Sequence, residues 1–260
     1  MRSEFGFVSF EALIDYEADV LHFRLETELT EPDAPWLCME RFGSRTFSHW
    51  YSLVRRDSSI GLLPTEAVVE PDAAGLTVQL SGREFSFGGT VSEAAYERVN
   101  SCTVAARLAS QERHSLTGTI GCTAPVEQGS WDELRQTLAE ADWKTAQSRT
   151  ADGWREFWQR LYVDYGDDYQ SSLYHLALFY LNASQRGSYP GRFINGLWGW
   201  NRDVQPWNFY FHWNQQQLYW SACAAGHPEL CRSYVELRLR GLGHARRDAE
   251  EIFRVPGGAM

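Results

Sequence analysis

Through the first 125 residues, apolar and polar positions alternate in short runs. From Ala18 to Thr30, Leu21, Phe23, Leu25 and Leu29 alternate with His22, Arg24, Glu26 and Glu28, which is the period of a strand with one buried face. Further short runs occur at Glu66–Val69, Leu76–Leu80, Glu84–Phe87, Ser101–Leu108 and His114–Cys122. The pairs Pro71-Asp72, Ser81-Gly82 and Gly88-Gly89 separate them and read as turns. Several short strands at this spacing predict an antiparallel β-sandwich over residues 1–125. After Pro125 the period changes. Ser130 stands three residues before Glu133, the spacing of a capping box, and helix formers surround Trp131, Leu134, Leu138, Trp154, Phe157 and Trp158. Residues 126–166 are therefore expected to form a helical linker.

The last segment, 167–260, is expected to be helix and loop. From Asp168, the apolar residues Leu173, Leu176, Ala177, Tyr180 and Leu181 recur at helical spacing, with Asp167 or Asp168 placed as N-cap. A second helix should end at Gly226. A third begins at Pro228, a favoured first-turn residue, with Leu230, Tyr234, Leu237 and Gly241 on one face. Asn182-Ala-Ser184 fits a glycosylation sequon but falls within a helical pattern.

Composition narrows the partners. The chain has 260 residues, 43% of them apolar, enough for more than one core. A net charge of −10 argues against nucleic acid or an anionic membrane surface. Five widely spaced cysteines, Cys38, Cys102, Cys122, Cys223 and Cys231, contain no C-x-x-C pair and indicate neither a zinc site nor a disulfide framework. No His pair has helical ligand spacing, and the glycines form no phosphate-cradling loop. The N-terminus lacks the charged, apolar and small-residue pattern of a signal peptide, and no apolar run approaches the ~18 residues needed to span a bilayer.

The densest chemistry lies between Gly191 and Trp220. Phe193, Trp198, Trp200, Trp207, Phe209, Tyr210, Phe211, Trp213, Tyr219 and Trp220 are interleaved there with Asn195, Asn201, Asn208, His212, Asn214 and Gln215 to Gln217. Sugar rings present flat C–H faces that stack on aromatic rings, and their hydroxyls pair with neutral amides, so this mixture reads as a carbohydrate site. A Trp-rich structural core with capping amides is the alternative reading. Glu229, beside Pro228, reads as a stabiliser of a helix N-terminus. Asp248, Glu250 and Glu251 read as a solvated helix face.

Trp154-Arg-Glu-Phe-Trp158, Ala183-Ser-Gln-Arg186, Gly191-Arg-Phe-Ile-Asn-Gly-Leu-Trp198, Pro206-Trp207 and Asn214 through Trp220 together resemble the entrance to an (α/α)6 glycosidase domain. The resemblance is to glycoside hydrolase family 95, the α-L-fucosidase family, and is specific over about Trp154–Arg246. It implies a β-sandwich, a helical linker and then the first helices of an (α/α)6 six-hairpin barrel, left incomplete at residue 260. In that family an Asn-x-Asn-x-Glu-x-Asn-Tyr-Trp stretch lines the sugar site. Here Asn214 matches the second asparagine and Tyr219-Trp220 the aromatic pair, whereas His212, Gln216 and Leu218 replace the first asparagine, the glutamate and the third asparagine. The resemblance thus implies a glycoside hydrolase with Asn214 positioning water. Its substrate contacts are expected from His212, Gln216, Trp198, Trp200, Arg202, Asp203, Trp207 and Tyr219.

Inverting hydrolysis uses two carboxylates, and the family's acid and base fall beyond residue 260. The chain is accordingly expected to be an N-terminal piece of a larger enzyme, inactive alone, whose partners are an oligosaccharide or polysaccharide and the remainder of its own barrel. The family needs no organic cofactor, so none is expected. Two other readings stay open: a polysaccharide lyase on a similar toroid, with Arg192 or Arg202 neutralising a uronate, and a non-catalytic carbohydrate-binding protein. Residues two apart on a helix point ~200° apart. A joint role for His212 and Asn214 therefore requires Phe209–Asn214 to be non-helical, with the helix starting near Gln215.

Overall fold

A computed structural model describes residues 2–3, 6–29, 36–41, 65–80, 83–109, 113–123, 129–187, 190–191 and 213–258. Ten described strands precede five α-helices. They are β1 (Arg2–Ser3), β2 (Gly6–Ile14), β3 (Val20–Leu29), β4 (Trp36–Glu40), β5 (Thr65–Val69), β6 (Ala74–Leu80), β7 (Arg83–Val91), β8 (Ala95–Asn100), β9 (Thr103–Arg107) and β10 (Arg113–Cys122). The helices are α1 (Trp131–Ala139), α2 (Trp143–Arg160), α3 (Asp168–Gln185), α4 (Trp213–Ala224) and α5 (Arg232–Glu251), the last preceded by a 3-10 turn at Pro228–Cys231. The described residues form two compact units, one up to Glu156 and one from Phe157.

In the first unit, one sheet runs in the order β1-β2-β3-β10-β7-β6-β5 and a second in the order β4-β9-β8, every pair antiparallel. The two sheets form a β-sandwich. Ala67, Ala74 and Leu76 of the larger sheet pack with Val104 of the smaller, flanked by Met39, Phe87 and Tyr96. The alternation in β10 holds from Arg113 to Gly118, with His114, Leu116 and Gly118 inside and Arg113, Ser115 and Thr117 outside, and shifts phase at Thr119, which is buried too. Polar ties hold the sheets as well. The Tyr96 hydroxyl accepts from the Val91 amide at 2.6 Å and donates to the Val91 carbonyl at 3.0 Å, and Arg98 donates to the Ala67 carbonyl.

The Gly88-Gly89 pair is not a turn but lies inside β7. Gly88 stands directly opposite Gly75 on β6, and the ring of Trp131 occupies the slot that the two missing side chains leave. A Cβ on either glycine would come within 2.5 Å of that ring. Trp131, Leu134 and Leu138 of α1 then bury against Val20 and Ala73. Close approach, not chain reversal, is what these glycines supply. Strands β1, β2, β4 and β8 were not expected from the pattern; β2 and β8 expose much of their length.

Ser130 caps α1 as expected. Its hydroxyl accepts from the Glu133 amide at 3.2 Å, and the Glu133 carboxylate accepts from the Ser130 amide at 2.8 Å. The expected linker is two helices, α1 and α2, broken at Glu140–Asp142. Asp15, fully buried in the β2–β3 turn, receives Arg149 of α2 at 2.5 Å and the Glu17 amide at 2.9 Å.

In the second unit, Asp167 caps α3 by accepting from the Gln170 amide at 2.8 Å. The buried flank of α3 matches the expected stripe only at Leu181. Leu173, Leu176 and Tyr180 are 48, 46 and 37% exposed, whereas Leu178, Leu181, Asn182 and Gln185 are buried. Two of those four are amides, which an apolar periodicity cannot register. Asn182, the asparagine of the sequon, lies inside. Helix α4 ends as predicted, at a turn through Gly226 with φ +78°, the left-handed conformation glycine favours. It begins at Trp213, two residues before the expected start, so Asn214 sits in its first turn rather than in an extended segment.

Candidate functional site

Of the expected substrate contacts, Trp198, Trp200, Arg202, Asp203, Trp207 and His212 lie outside the described residues. The extended geometry expected for Phe209–His212 lies there too. The structure describes the two flanks of that segment, Gly191 on one side and α4 on the other, and shows how they are joined. Gln215 and Tyr219 stand four apart on α4 and so share a face. The Gln215 side-chain amide donates to the Gly191 carbonyl at 3.2 Å, and the Gly191 amide donates to the Tyr219 hydroxyl at 3.1 Å. One helix face thereby satisfies both backbone polar groups of Gly191, which is itself buried.

Packing closes this clamp. Tyr219 is buried and stacks on Tyr234 of α5, with ring centroids 4.9 Å apart and planes inclined by 28°. Ser233 donates to the Gln185 carbonyl at 3.2 Å, joining α5 to the end of α3. A Cβ on Gly191 would sit 3.1 Å from Gln185 Cγ, so glycine permits the close fit. Burial pushes the Tyr219 phenol up to about 12, a neutral hydroxyl at any physiological pH. Three polar atoms in this region, Gln185 Oε1, Gln215 Oε1 and the Tyr234 hydroxyl, are buried and have no hydrogen-bond partner among the described residues.

The opposite face of α4 is aromatic and exposed. Trp213 and Trp220 are 52 and 60% exposed and meet edge to face, 6.1 Å between centroids. Gln216 and Gln217, three and four residues after Trp213, follow on the same side of the helix, Gln216 half-buried and Gln217 exposed. Between α3 and α4 a cleft of about 580 Å³ is lined by Tyr174, Tyr180, Ser184, Gln217, Leu218 and Ser221, among others. Among the described residues no carboxylate lines it.

Glu229 pairs with Arg160 at 2.7 Å and lies 3.2 Å from Nδ1 of His227. Burial raises its carboxyl, but hydrogen bonds from its own amide and from His227, with the Arg160 charge, outweigh that and hold it below the usual carboxylate range. His227, fully buried, stacks on Phe157 at 3.9 Å. Glu229 is thus a structural ion-pair member in the first turn after Pro228. Asp248, Glu250 and Glu251 are exposed, as expected. Among the described residues no group of three or more side chains is placed to hold a metal ion, and no helix is long and apolar enough to cross a membrane.

Sequence reading named Tyr219 and Gln216 as sugar contacts and counted Gln215 only as one amide of the stretch that starts at Gly191; the clamp they form on Gly191, and the part of Tyr234, it did not foresee. The four-residue spacing of Gln215 and Tyr219 was the available signal. The seven-residue spacing of Trp213 and Trp220 marked the other face.

In class, the fold is an antiparallel β-sandwich followed by helices. No family model matches the sequence, and no curated protein matches it significantly. Twenty chains of solved structures match it in fold. One, described as "Putative kojibiose phosphorylase from human microbiome", superposes with a TM-score of 0.61 over 96% of this chain at 14% identity. The chain spans about a third, 34%, of that structure's own length. At such identity the likeness is one of fold.

Proposed function

We propose that this chain supplies the N-terminal sandwich and first helices of a carbohydrate-active enzyme that breaks glycosidic bonds. In this reading residues 1–125 are the sandwich, 126–166 the helical linker, and 167–260 the start of an (α/α)6 barrel. The observation that carries the proposal is the fold likeness over 96% of the chain to a structure described as a phosphorylase of a disaccharide. The aromatic and amide residues between Gly191 and Trp220 support it independently, as does the resemblance of that stretch to glycoside hydrolase family 95. Asn214 would position the attacking water. Trp198, Trp200, Arg202, Asp203, Trp207, His212 and Gln216 would surround the sugar, while Tyr219, buried, would act from beneath by holding Gly191; because Asn214 lies within α4, its role would be separate from that of His212.

The acceptor of the glycosyl group separates two chemistries. With water as acceptor, one carboxylic acid protonates the leaving oxygen and a second carboxylate activates the water. With phosphate as acceptor, the anion itself attacks the anomeric carbon to form a sugar phosphate, the glycosidic C–O bond breaks, and the other sugar departs with a proton from the carboxylic acid on its oxygen. The whole open reading frame containing this chain, incubated with α- and β-linked disaccharides with and without inorganic phosphate, distinguishes them. Free sugar from both halves, independent of phosphate, identifies hydrolysis; phosphate-dependent sugar phosphate identifies phosphorolysis. No cleavage under either condition, together with sugar-dependent tryptophan emission, would replace the proposal with a binding role.

A further inference from the structure

Cys223 lies in the last turn of α4 and Cys231 closes the 3-10 turn before α5. Between them the helix stops at Ala224, the chain reverses through Gly226 at positive φ, and His227 plugs the turn from inside. This reversal brings the two sulfurs to 4.0 Å. Cys223 is exposed and Cys231 half-buried, with its thiol 3.7 Å from the Tyr219 carbonyl. A disulfide bond is about 2.05 Å long, so ~2 Å of approach separates the pair from bonding, a distance within the reach of side-chain rotation. Their eight-residue separation matches no familiar cysteine motif, so only the turn reveals them.

We propose that Cys223 and Cys231 form a redox-active dithiol that exchanges with a low-molecular-weight disulfide to give an intramolecular disulfide, tying the end of α4 to the start of α5. The exposed Cys223 reacts first. Its thiolate attacks one sulfur of the co-reactant, oxidised glutathione for example, forming a mixed disulfide and releasing one reduced thiol. Cys231, deprotonated, then attacks Cys223 Sγ; the new S–S bond forms and a second reduced thiol departs. Two electrons and two protons leave the protein, and the co-reactant accepts them. Burial, and the neighbouring Cys223, raise the Cys231 thiol, so this second step is expected to quicken as pH rises. The tie would restrain the helix whose Gln215 and Tyr219 clamp Gly191.

The reduced full chain, treated with oxidised glutathione under native conditions, should lose the mass of two hydrogens. Cleavage after Glu229, which falls between the cysteines, should then leave two pieces joined until reductant is added. The oxidised protein should melt higher, by on the order of 5 °C, and C223S should abolish both changes. The proposal is overturned by an unchanged mass, by a persistent glutathione adduct on Cys223, or by C223S protein that still loses two hydrogens. A lower melting temperature on oxidation would also overturn it, because the bond would then form only by distorting the turn.

Discussion

Tyr219 holds the Gly191 amide out of reach of water, so its hydroxyl has no substitute there. Tyr219→Phe keeps the stacking on Tyr234 but leaves a buried N–H without an acceptor, and should lower stability by about 1–3 kcal/mol in urea unfolding. A loss near zero would show that the amide finds another partner. His22 on β3 gives a second test. Burial lowers its imidazole below 6.5, Asp15 and Asp142 opposing and Arg149 reinforcing the shift. The folded state therefore binds the proton less readily than the unfolded chain. The stability His22 contributes is complete above pH 6.5 and is lost as pH falls from 6.5 towards the folded value. His22→Gln should flatten the unfolding midpoint over that interval; an unchanged slope would assign the dependence to another group. Neither role was legible from residue type, since Tyr219 stood out as an aromatic sugar contact and His22 as the wet side of a strand. Burial decided both, and burial is set by elements distant in sequence.

At the level of elements, local chemistry was the most readable. The Ser130–Glu133 box, the Asp167 cap and the Gly226 stop each depend on a few adjacent residues, and each stands where the sequence put it. Features that need a neighbour were misread. Gly88-Gly89 resembled a turn because the Trp131 ring that requires the glycines comes from a helix more than forty positions away. The inner flank of α3 was assigned to Leu173, Leu176, Ala177, Tyr180 and Leu181, yet Asn182 and Gln185 occupy it beside Leu178 and Leu181, and an apolar periodicity cannot register buried amides. Gly88→Ala should cost about 1–3 kcal/mol by forcing Trp131 out of its slot. A chain as stable as the parent would mean that α1 re-seats without penalty.

For the whole molecule, the order of parts was legible as two periodicities, and the sandwich followed by helices is what the chain forms. The candidate site was legible as composition alone, and most of its aromatics lie outside the described residues. On the proposed function, purified 1–260 should release no sugar from any disaccharide, since among the described residues no carboxylate lines the cleft between α3 and α4. Detectable release in a reducing-sugar assay would place the acid and base within this chain. The Trp131 slot, finally, sets an order in time. Its walls, Gly75 and Gly88, face each other only once β6 and β7 have zipped together, so α1 has nowhere to dock until that pairing exists. Seating the indole is therefore expected to follow the β6–β7 pairing, which makes that strand pair the precondition for the sandwich to accept its first helix.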